Sequence, residues 1–355
     1  MQVFATTTHE HRHSNTVEAL DHSLRVVTIG GGTGHARLLR GLKRYTCQIT
    51  AVVTVTDNGG SSGKLVSDFG IQPPGDIRNC LAALANDRRM SELFEFRFPG
   101  ETSSLAGHPI GNLILTALFT MNGDDLTQAT AHAAEILGAC GRVLPSTRDH
   151  VVLRALMADG SIVQGETQIV LSPAAISRMS ISPRAPAPTP QVIDAIEDAE
   201  LIVIGPGSLF TSLLPNLLIP GIQEALHRAR ATKVYVCNLA TERGETDQFS
   251  AADHVLAIQE HVQSSLFQHV LISSGPAGQL RDVACVGADP VSPDVHRIRA
   301  MGFMPSVQTL TLQPDDIRHD PDLLARAVLE LAQPVASEQS GKFRTSTRQL
   351  LQATA

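Results

Sequence analysis

The sequence predicts an α/β fold built on a mostly parallel sheet, with helices on both faces and a small inserted β-hairpin lobe. From Leu24 the chain alternates strand, glycine loop, helix and strand in the segments LRVVTI, GGGTGHA, RLLRGLKRY and QITAVVTVT. The strands are almost continuously apolar, which is typical of parallel strands that are covered on both faces. Three later segments, AELIVIGPGSL, TKVYVCN and HVLISS, are also predicted to be buried strands.

Periodicity predicts the helices and the lobe. The segments DIRNCLAALAND and PIGNLILTALFTMN space their apolar residues with a helical period. Between Val151 and Val170, apolar and polar residues alternate around an Asp-Gly turn at Asp159 and Gly160, which predicts a β-hairpin. We therefore expect one nucleotide-binding domain over residues 24–334, with an inserted lobe over about 142–190 that returns through a Pro-rich connector. Residues 1–23 are predicted to be a disordered extension and residues 335–355 a loose tail.

Composition excludes several classes of protein. The chain has 355 residues and a formal net charge of -7, and it lacks the clustered Lys and Arg that nucleic acid binding requires. No apolar run approaches the roughly 20 residues that span a bilayer, so we expect a cytoplasmic protein. The five cysteines lack CxxC spacing, which favours buried thiols in a reducing compartment over disulfides or a zinc site. They are Cys47, Cys80, Cys140, Cys237 and Cys285.

The first glycine loop follows the first predicted strand and spans Gly30–Gly34. Glycines at the end of a parallel strand allow backbone N–H groups and a helix N-terminus to face an anion. His35 occupies the position where a dinucleotide fingerprint would require its last glycine, so that fingerprint is not met. The alternative interpretation is a tight turn without a ligand.

The second loop, Thr54–Leu65, follows the second predicted strand. Asp57 is expected to end that strand and to bind ribose hydroxyls or a hydrated magnesium ion. The loop resembles a phosphate-binding loop, but Asn58 and Leu65 replace two residues that an NTPase would need. The glycine and serine residues between them can still supply N–H donors to a diphosphate, unless the loop is simply solvated.

Two predicted helix starts carry further candidates. In PPGDIRNCL, Asp76 is expected to cap a helix, and Arg78 is a candidate phosphate clamp because its guanidinium pairs with two oxygens at once. In GHPIGN, His108 and Asn112 are expected to face a ligand, with an acid or base role for His108 as one alternative and a structural role as the other.

The later strands end in small and polar residues. The segment GPGSL places Gly205, Gly207 and Ser208 after the strand LIVI, and Ser208 is interpreted as a hydrogen-bond donor because it lacks the context of a nucleophile. The loop after the next strand is polar enough to orient a sugar or a carboxylated substrate. Its candidates are Asn238, Thr241, Glu245, Thr246 and Asp247.

Six motifs together resemble the gluconeogenesis-factor family of bacterial proteins, which is related to the 2-phospho-L-lactate transferases. They are GGGTG, DNGGSSGK, PPGDIRNCL, GHPIGN, GPGSLFTSLLPNLLIPGI and GETD, and the resemblance extends over about residues 25–332. It implies a Rossmann-like α/β fold, binding of a UDP-sugar such as UDP-N-acetylglucosamine, and a role in cell shape and growth on gluconeogenic carbon sources.

The chain departs from the family pattern at three points. Asn58 stands where the family usually has a second acid, which weakens a two-carboxylate metal site. Glu242 and Arg243 replace uncharged residues, which indicates a changed ligand preference. The Gly-Asp-Asp element of the transferases is absent, which argues against a lactyl-phosphate transferase.

Three functional hypotheses remain, in order of preference. The first is a nucleotide-sugar-binding regulatory protein, for which we also expect a homodimer. The second is a phosphotransferase in which Asp57 organises magnesium, the only cofactor considered, and Asp76 or His108 acts as acid or base. The third is a nicotinamide-dependent oxidoreductase, which the broken fingerprint disfavours. The expected ligand-binding residues are Gly31, Gly32, Thr33, Gly34, Asp57, Asn58, Gly59, Gly60, Ser61, Ser62, Asp76, Arg78, Asn79, His108, Asn112, Gly205, Gly207, Ser208, Asn238, Thr241 and Asp247.

Overall fold

The computed structural model describes residues 23–100, 103–274, 288–313 and 317–332. The predicted N-terminal extension, except its last residue, and the predicted C-terminal tail lie outside these ranges. The strands are β1 (Val26–Gly30), β2 (Ile49–Val53), β3 (Arg142–Pro145), β4 (Val152–Met157), β5 (Ile162–Gln164), β6 (Ile176–Ser182), β7 (Leu201–Ile204), β8 (Thr232–Val236), β9 (His269–Ser273) and β10 (Met304–Gln308).

The helices surround the sheet formed by most of these strands. They are α1 (Gly32–Leu42), α2 (Gly60–Phe69), α3 (Gly75–Leu84), α4 (Arg88–Glu95), α5 (Ile110–Met121), α6 (Leu126–Leu137), α7 (Glu166–Val170), α8 (Pro190–Asp198), α9 (Leu214–Leu217), α10 (Pro220–Arg228), α11 (Ala251–Val262), α12 (Val295–Ala300) and α13 (Pro321–Ala332). A short π-helix, Leu209–Leu213, leads into α9.

Seven strands form one sheet in the order β10-β9-β8-β7-β1-β2-β3. Every neighbouring pair in this sheet is parallel, which confirms the predicted fold class. The strand order runs outwards in both directions from the β1 and β7 pair, in which Ile29 lies opposite Ile204. This pair is therefore a topological switch point, the place where open parallel sheets bind ligands.

Hydrophobic cores form on both faces of the sheet because alternate side chains of each buried strand point to opposite sides. On one face, strand residues such as Val26 pack with Leu38 of α1, Leu81 of α3 and Leu324 of α13. On the other face, strand residues such as Ile29 pack with residues of α8, α10 and α11. The two cores hold the strand ends, and therefore the loops that follow them, in fixed positions.

The inserted lobe is a three-stranded antiparallel sheet in the order β5-β4-β6. The predicted hairpin is present, since β4 and β5 pair around Asp159 and Gly160. The predicted lobe boundary at about residue 142 differs from the structure, because Arg142 pairs with Thr50 in the main sheet. Strand β3 has one exposed residue followed by three buried ones. This pattern fits a strand at the edge of the main sheet and a strand of the lobe equally well, so the sequence could not assign β3 to one of them.

The cysteines correct one expectation. Cys80 and Cys237 are buried thiols as predicted, but Cys47 and Cys140 form a disulfide across 93 residues of sequence. The prediction of unpaired thiols was wrong for this pair because the two residues lie just before β2 and β3, which are parallel neighbours in the sheet. Cys285 lies outside the described residues.

Within the described part of the chain, the structure has no helix that is long and apolar enough to cross a membrane.

Candidate functional site

Two neighbouring cavities open at the carboxyl edge of the parallel sheet. The first, of about 370 Å³, lies at the switch point and is lined by the loop after β1, the loop after β7 and the loop after β8. We call it the His319 cavity. The predicted residues that line it are Gly32, Thr33, Gly34, Gly207, Ser208, Asn238 and Thr241.

The second cavity, of about 270 Å³, lies beside the loop after β2. We call it the Arg78 cavity. The predicted residues that line it are Asp57, Gly59, Gly60, Ser61, Ser62, Arg78, Asn79 and Asn112, together with Gly75 and Arg97, which were not predicted. The two cavities thus bring together most of the residues that the motifs indicated.

Three helix N-termini converge on the Arg78 cavity. The helices α2 and α3 begin at Gly60 and Gly75, and Asn112 lies in the first turn of α5. In none of the three helices does the N-cap side chain accept a hydrogen bond from the N–H groups of the first turn. Such N-termini carry partial positive charge and favour an anion. Arg78 and Arg97 add full positive charges to the same cavity wall.

Buried polar atoms in this cavity lack partners. Arg78 is only 6% exposed, and its Nε atom has no hydrogen-bond partner. Its Nη2 atom donates to Asn79 Oδ1, which orients the guanidinium group. Asn112 is 1% exposed, and its Oδ1 atom is also unpartnered. Because a buried polar atom without a partner costs about 1 to 3 kcal/mol, a bound ligand is the natural source of these missing hydrogen bonds.

A hydrogen-bond relay fixes one wall of the Arg78 cavity. Asn112 Nδ2 donates to Ser61 Oγ at 3.0 Å, and Ser61 Oγ lies 2.8 Å from His108 Nδ1. Since the hydroxyl oxygen accepts from Asn112, its proton is available for His108 Nδ1. His108 itself is buried and does not line either cavity, so the structure places it behind Ser61.

Asp57 lines the Arg78 cavity, whereas Asp76 lines neither cavity. Asp57 comes four residues after the end of β2, and its Oδ1 atom accepts a 2.8 Å hydrogen bond from the Gly59 N–H. A β-carbon at position 75 would lie 2.7 Å from Asp57 Oδ2, so only glycine permits this close approach. Asp76 is not the cap predicted from the sequence, because α3 already begins at Gly75.

The environment of Asp76 makes its carboxyl group harder to ionise than that of an ordinary aspartate. Burial and the nearby charge of Asp57 raise the pKa of Asp76 to about 6, although a hydrogen bond from the backbone of Gly32 acts in the opposite direction. The hydrogen bond from Gly32 places the Asp76 carboxyl group at the N-terminus of α1. Ionisation of Asp57 thus disfavours ionisation of Asp76.

The residues do not form a complete metal site. No group of three or more His, Cys, Asp or Glu side chains among the described residues is arranged to hold a metal ion. Asp57 and Asp76 supply two carboxylates, and magnesium is commonly bound by one or two carboxylates together with substrate phosphates. These residues would therefore fit magnesium only in combination with a phosphate-bearing ligand.

A second acidic pair lies on the side of the His319 cavity. Glu242 Oε1 accepts a 3.0 Å hydrogen bond from Ser208, and Glu245 accepts from the Phe210 N–H and from Thr211. Burial and the neighbouring Glu245 raise the pKa of Glu242 to about 8, and burial also raises that of Glu245. The Glu242 Oε2 atom is buried without a partner. Sequence analysis noted Glu242 only as a departure from the family.

His319 is a residue that the sequence analysis missed. It is 5% exposed, lines the first cavity, and has no partner for its Nε2 atom. Burial lowers its pKa to about 4, while a hydrogen bond with the Cys237 backbone opposes that shift. The ring is thus neutral at pH 7, and Nε2 is an acceptor without a partner in the wall of the cavity. A lone histidine near the end of the chain gave no signal of this role.

Six predicted residues do not line either cavity, and two of them, Asp76 and His108, are described above. Gly205 adopts a left-handed conformation with φ of 84° and turns the chain after β7. Asp247 is exposed, and its carboxylate accepts from the Gly244 N–H within its own loop. Asn58 contacts the inserted lobe, where its Oδ1 atom accepts from the Thr167 N–H at 3.0 Å. Gly31 lies against Asp76, whose Oδ2 atom would be 2.5 Å from a β-carbon at that position.

Comparisons with known proteins show the family of the chain. The profile of the family described as 2-phospho-L-lactate transferase CofD matches residues 26–311. The gluconeogenesis factor of Halalkalibacterium halodurans is 40% identical over 326 residues, which cover 91% of this chain and 98% of the relative. The gluconeogenesis factor of Bacillus subtilis is 43% identical over 311 residues, with 86% of this chain and 98% of the relative covered.

A solved structure also matches. The crystal structure of a UPF0052 family protein from Bacillus halodurans is 40% identical in sequence and superimposes with a TM-score of 0.82. The match covers 86% of this chain and 99% of that protein.

Proposed function

The chain belongs to the family of 2-phospho-L-lactate transferase CofD and has gluconeogenesis factors among its relatives, and from this premise we propose that it binds a nucleotide sugar such as UDP-N-acetylglucosamine. The observation that carries the proposal is the convergence of three uncapped helix N-termini on the buried Arg78 side chain. This arrangement favours a phosphate group over a neutral ligand.

The diphosphate of the ligand would occupy the Arg78 cavity. The unpartnered Arg78 Nε atom and the N–H groups at Gly60 and Gly75 are donors, and phosphate oxygens are acceptors. The unpartnered Asn112 Oδ1 atom is an acceptor, so it would receive a sugar or ribose hydroxyl attached to the phosphates.

The nucleoside would occupy the His319 cavity. The neutral His319 ring presents an acceptor, and Asn238 and Ser208 present polar groups to the same cavity. A uracil ring carries one N–H donor and a ribose carries hydroxyl donors, so either part of a uridine nucleotide would complete the His319 hydrogen bond. The adjoining Arg78 cavity is within the reach of a diphosphate attached to that ribose.

The site has the features of a binding protein. Donors and acceptors surround the cavities. Ser61 Oγ lies 2.8 Å from His108 Nδ1, but among the described residues no carboxylate is hydrogen-bonded to His108, so the pair lacks the third group that orients the base of a typical nucleophile. We therefore place the chain as a cytoplasmic gluconeogenesis factor that senses nucleotide-sugar supply and supports cell shape and growth on gluconeogenic carbon sources.

A magnesium-dependent phosphotransferase is the second candidate. The interacting carboxyl groups of Asp57 and Asp76 and the match to a transferase family favour it. In that case magnesium would neutralise phosphate charge, and the carboxyl group of Asp76, with its pKa of about 6, would hold or release a proton near neutral pH. The chain would then transfer a phosphorus-containing group.

Titration calorimetry with UDP-N-acetylglucosamine, with and without magnesium, distinguishes the two candidates when it is followed by mass analysis of the ligand. The binding proposal predicts saturable binding and an unchanged ligand mass after prolonged incubation. Consumption of the ligand would favour the transferase, and absence of binding under both conditions would contradict the proposed ligand.

A further inference from the structure

A further cavity lies at the edge of the parallel sheet opposite the candidate site. It has a volume of about 280 Å³ and is lined by the first residues of β1, β2 and β3 and by residues of α8. Because these strands are parallel, their first residues lie at the amino edge, away from the two cavities at the carboxyl edge. Cys47, which precedes β2, lines this cavity, and we call it the Cys47 cavity.

The two ends of the disulfide between Cys47 and Cys140 differ in exposure. Cys47 is exposed in the segment between α1 and β2, whereas Cys140 is only 6% exposed. The Cys140 N–H donates a 2.9 Å hydrogen bond to the carbonyl oxygen of Leu84, which fixes the buried end. A thiol opens a disulfide by attacking one of its sulfur atoms, and access decides which one is attacked. Attack from solvent is therefore possible only at Cys47.

This exposure distinguishes the disulfide from a purely structural cross-link. Structural disulfides resist reduction by small thiols, whereas exposed ones are the labile bonds that regulate or catalyse. In the reducing compartment that the sequence predicts, a disulfide is usually a transient one that takes part in exchange. The position of Cys47 in the wall of a cavity adds a place where the attacking thiol can bind.

The walls of the Cys47 cavity carry charges of both signs. Arg25 and Arg142 supply two guanidinium groups, and Asp194 and Asp198 supply two carboxylates. Among the described residues, no ion pair joins Arg142, Asp194 or Asp198 to another side chain. Guanidinium groups bind the carboxylates of a ligand, and carboxylates bind its ammonium group. The cavity volume is close to the roughly 300 Å³ of the smallest ligand pockets.

We propose that Cys47 is a thiol-exchange site, at which a small thiol that carries both carboxylate and ammonium groups binds in the Cys47 cavity and forms a mixed disulfide with Cys47. Glutathione has this chemistry and is the probe used below. The Cys47 cavity lies at the opposite edge of the sheet from the proposed nucleotide-sugar site, so the exchange does not depend on the proposed function.

The exchange balances in atoms and electrons. The thiolate of the small thiol attacks Cys47 Sγ, a bond forms between these two sulfur atoms, and the bond from Cys47 Sγ to Cys140 Sγ breaks. Cys140 leaves with the electron pair as a thiolate and takes a proton from water. Its sulfur lies 3.9 Å from the Lys43 carbonyl oxygen and 3.7 Å from the Thr46 carbonyl oxygen, so the new thiol has acceptors nearby.

A second small thiol completes the reduction. Its thiolate attacks the small-molecule sulfur of the mixed disulfide, which releases Cys47 as a thiolate and forms the disulfide of the small thiol. Two small thiols are thereby oxidised, and one protein disulfide is reduced to two thiols. In the reverse direction, a Cys140 thiolate attacks Cys47 Sγ of the mixed disulfide, expels the small thiol and closes the cross-link again.

The first measurement identifies the sulfur atom that is modified. The oxidised wild-type protein is incubated with glutathione under native conditions, quenched with acid, and analysed by intact mass and by peptide mapping. We expect an intermediate with one glutathione on Cys47 and a free thiol at Cys140. Peptide mapping separates these two sites from Cys80, Cys237 and Cys285. Glutathione found on Cys140 instead, or a disulfide that opens only once the protein has unfolded, would overturn the proposal.

The second measurement tests the cavity as the binding place of the thiol. Rate constants for opening of the disulfide are compared for glutathione and 2-mercaptoethanol, which carries neither a carboxylate nor an ammonium group, at equal thiolate concentrations. Arg142→Gln should slow glutathione by about threefold to fivefold and 2-mercaptoethanol by less than about twofold, because only glutathione loses an ion pair. Arg89→Gln, which changes an exposed arginine on α4, should leave both rate constants unchanged.

Circular dichroism of both variants monitors the fold. Equal slowing of the two thiols by Arg142→Gln would show that the charge acts on any thiolate, and it would overturn the Cys47 cavity as a binding site. A glutathione rate constant that Arg142→Gln leaves unchanged would overturn it as well.

Discussion

At the scale of single residues, Arg78 is the side chain on which the proposed phosphate site depends most. It is predictable from the sequence, because an arginine in the first turn of a helix that follows Pro-Pro-Gly-Asp lies next to the helix N-terminus. The structure adds that this guanidinium is buried and that its Nε atom lacks a partner. A buried, incompletely paired arginine is poised for an anion.

Replacement of Arg78 by alanine should weaken the binding of UDP-N-acetylglucosamine by about 2 kcal/mol, which is the cost of a lost charge-assisted hydrogen bond. Calorimetry at low salt measures this change. Arg89→Ala is the matched control because Arg89 is an exposed arginine on α4, away from the cavities. Equal affinities for Arg78→Ala and the control would remove Arg78 from the ligand site.

Other site residues could not be assigned from the sequence. Asn58 was expected to face the ligand because it lies in a glycine-rich loop, but its amide group holds α7 instead. The contact of Asn58 with Thr167 gave no signal because 109 residues separate the two in the chain. Only the tertiary packing of the lobe on the loop after β2 brings them together.

At the scale of elements, the strands that end at the site were predicted, but those at the borders were not. The apolar segments of β1, β2, β7, β8 and β9 are buried on both faces, which makes them recognisable. Strand β10 was missed because it is an edge strand with a proline and two exposed hydrophobic residues. Strand β6 pairs with β4, but the helix α7 lies between the two strands in the sequence. It was missed because no tight turn links it to its partner.

The disulfide between Cys47 and Cys140 links the starts of β2 and β3, and its reduction should destabilise the protein. A cross-link that closes a loop of 93 residues lowers the entropy of the unfolded chain, which corresponds to up to about 4 kcal/mol of folding free energy. Urea denaturation with and without a thiol reductant measures the effect.

The double variant Cys47→Ser with Cys140→Ser provides the control for this experiment. It should have the stability of the reduced wild type and should not respond to the reductant. If reductant leaves the wild-type midpoint unchanged, or if peptide mapping finds no linked peptide, the cross-link does not contribute to stability in solution.

At the scale of the whole molecule, the parallel sheet explains why distant motifs form one site. Every strand of a parallel sheet ends at the same edge, so the loops after β1, β2, β7 and β8 meet there although they are up to about two hundred residues apart in sequence. This rule is sufficient to predict that the motifs that follow strands lie near one another. It does not place the starts of α3 and α5, which follow other helices, and it does not predict that two cavities form, because those features depend on helix and side-chain packing.

We propose that the ligand lies across both cavities, with its phosphates in the Arg78 cavity. The most direct test is a crystal structure of the protein with UDP-N-acetylglucosamine at saturating concentration. We expect phosphate oxygens within hydrogen-bond distance of Arg78 Nε and of the N–H groups that begin α2 and α3, with the nucleoside beside His319. Phosphates bound elsewhere on the molecule, with the Arg78 cavity filled only by water, would contradict it.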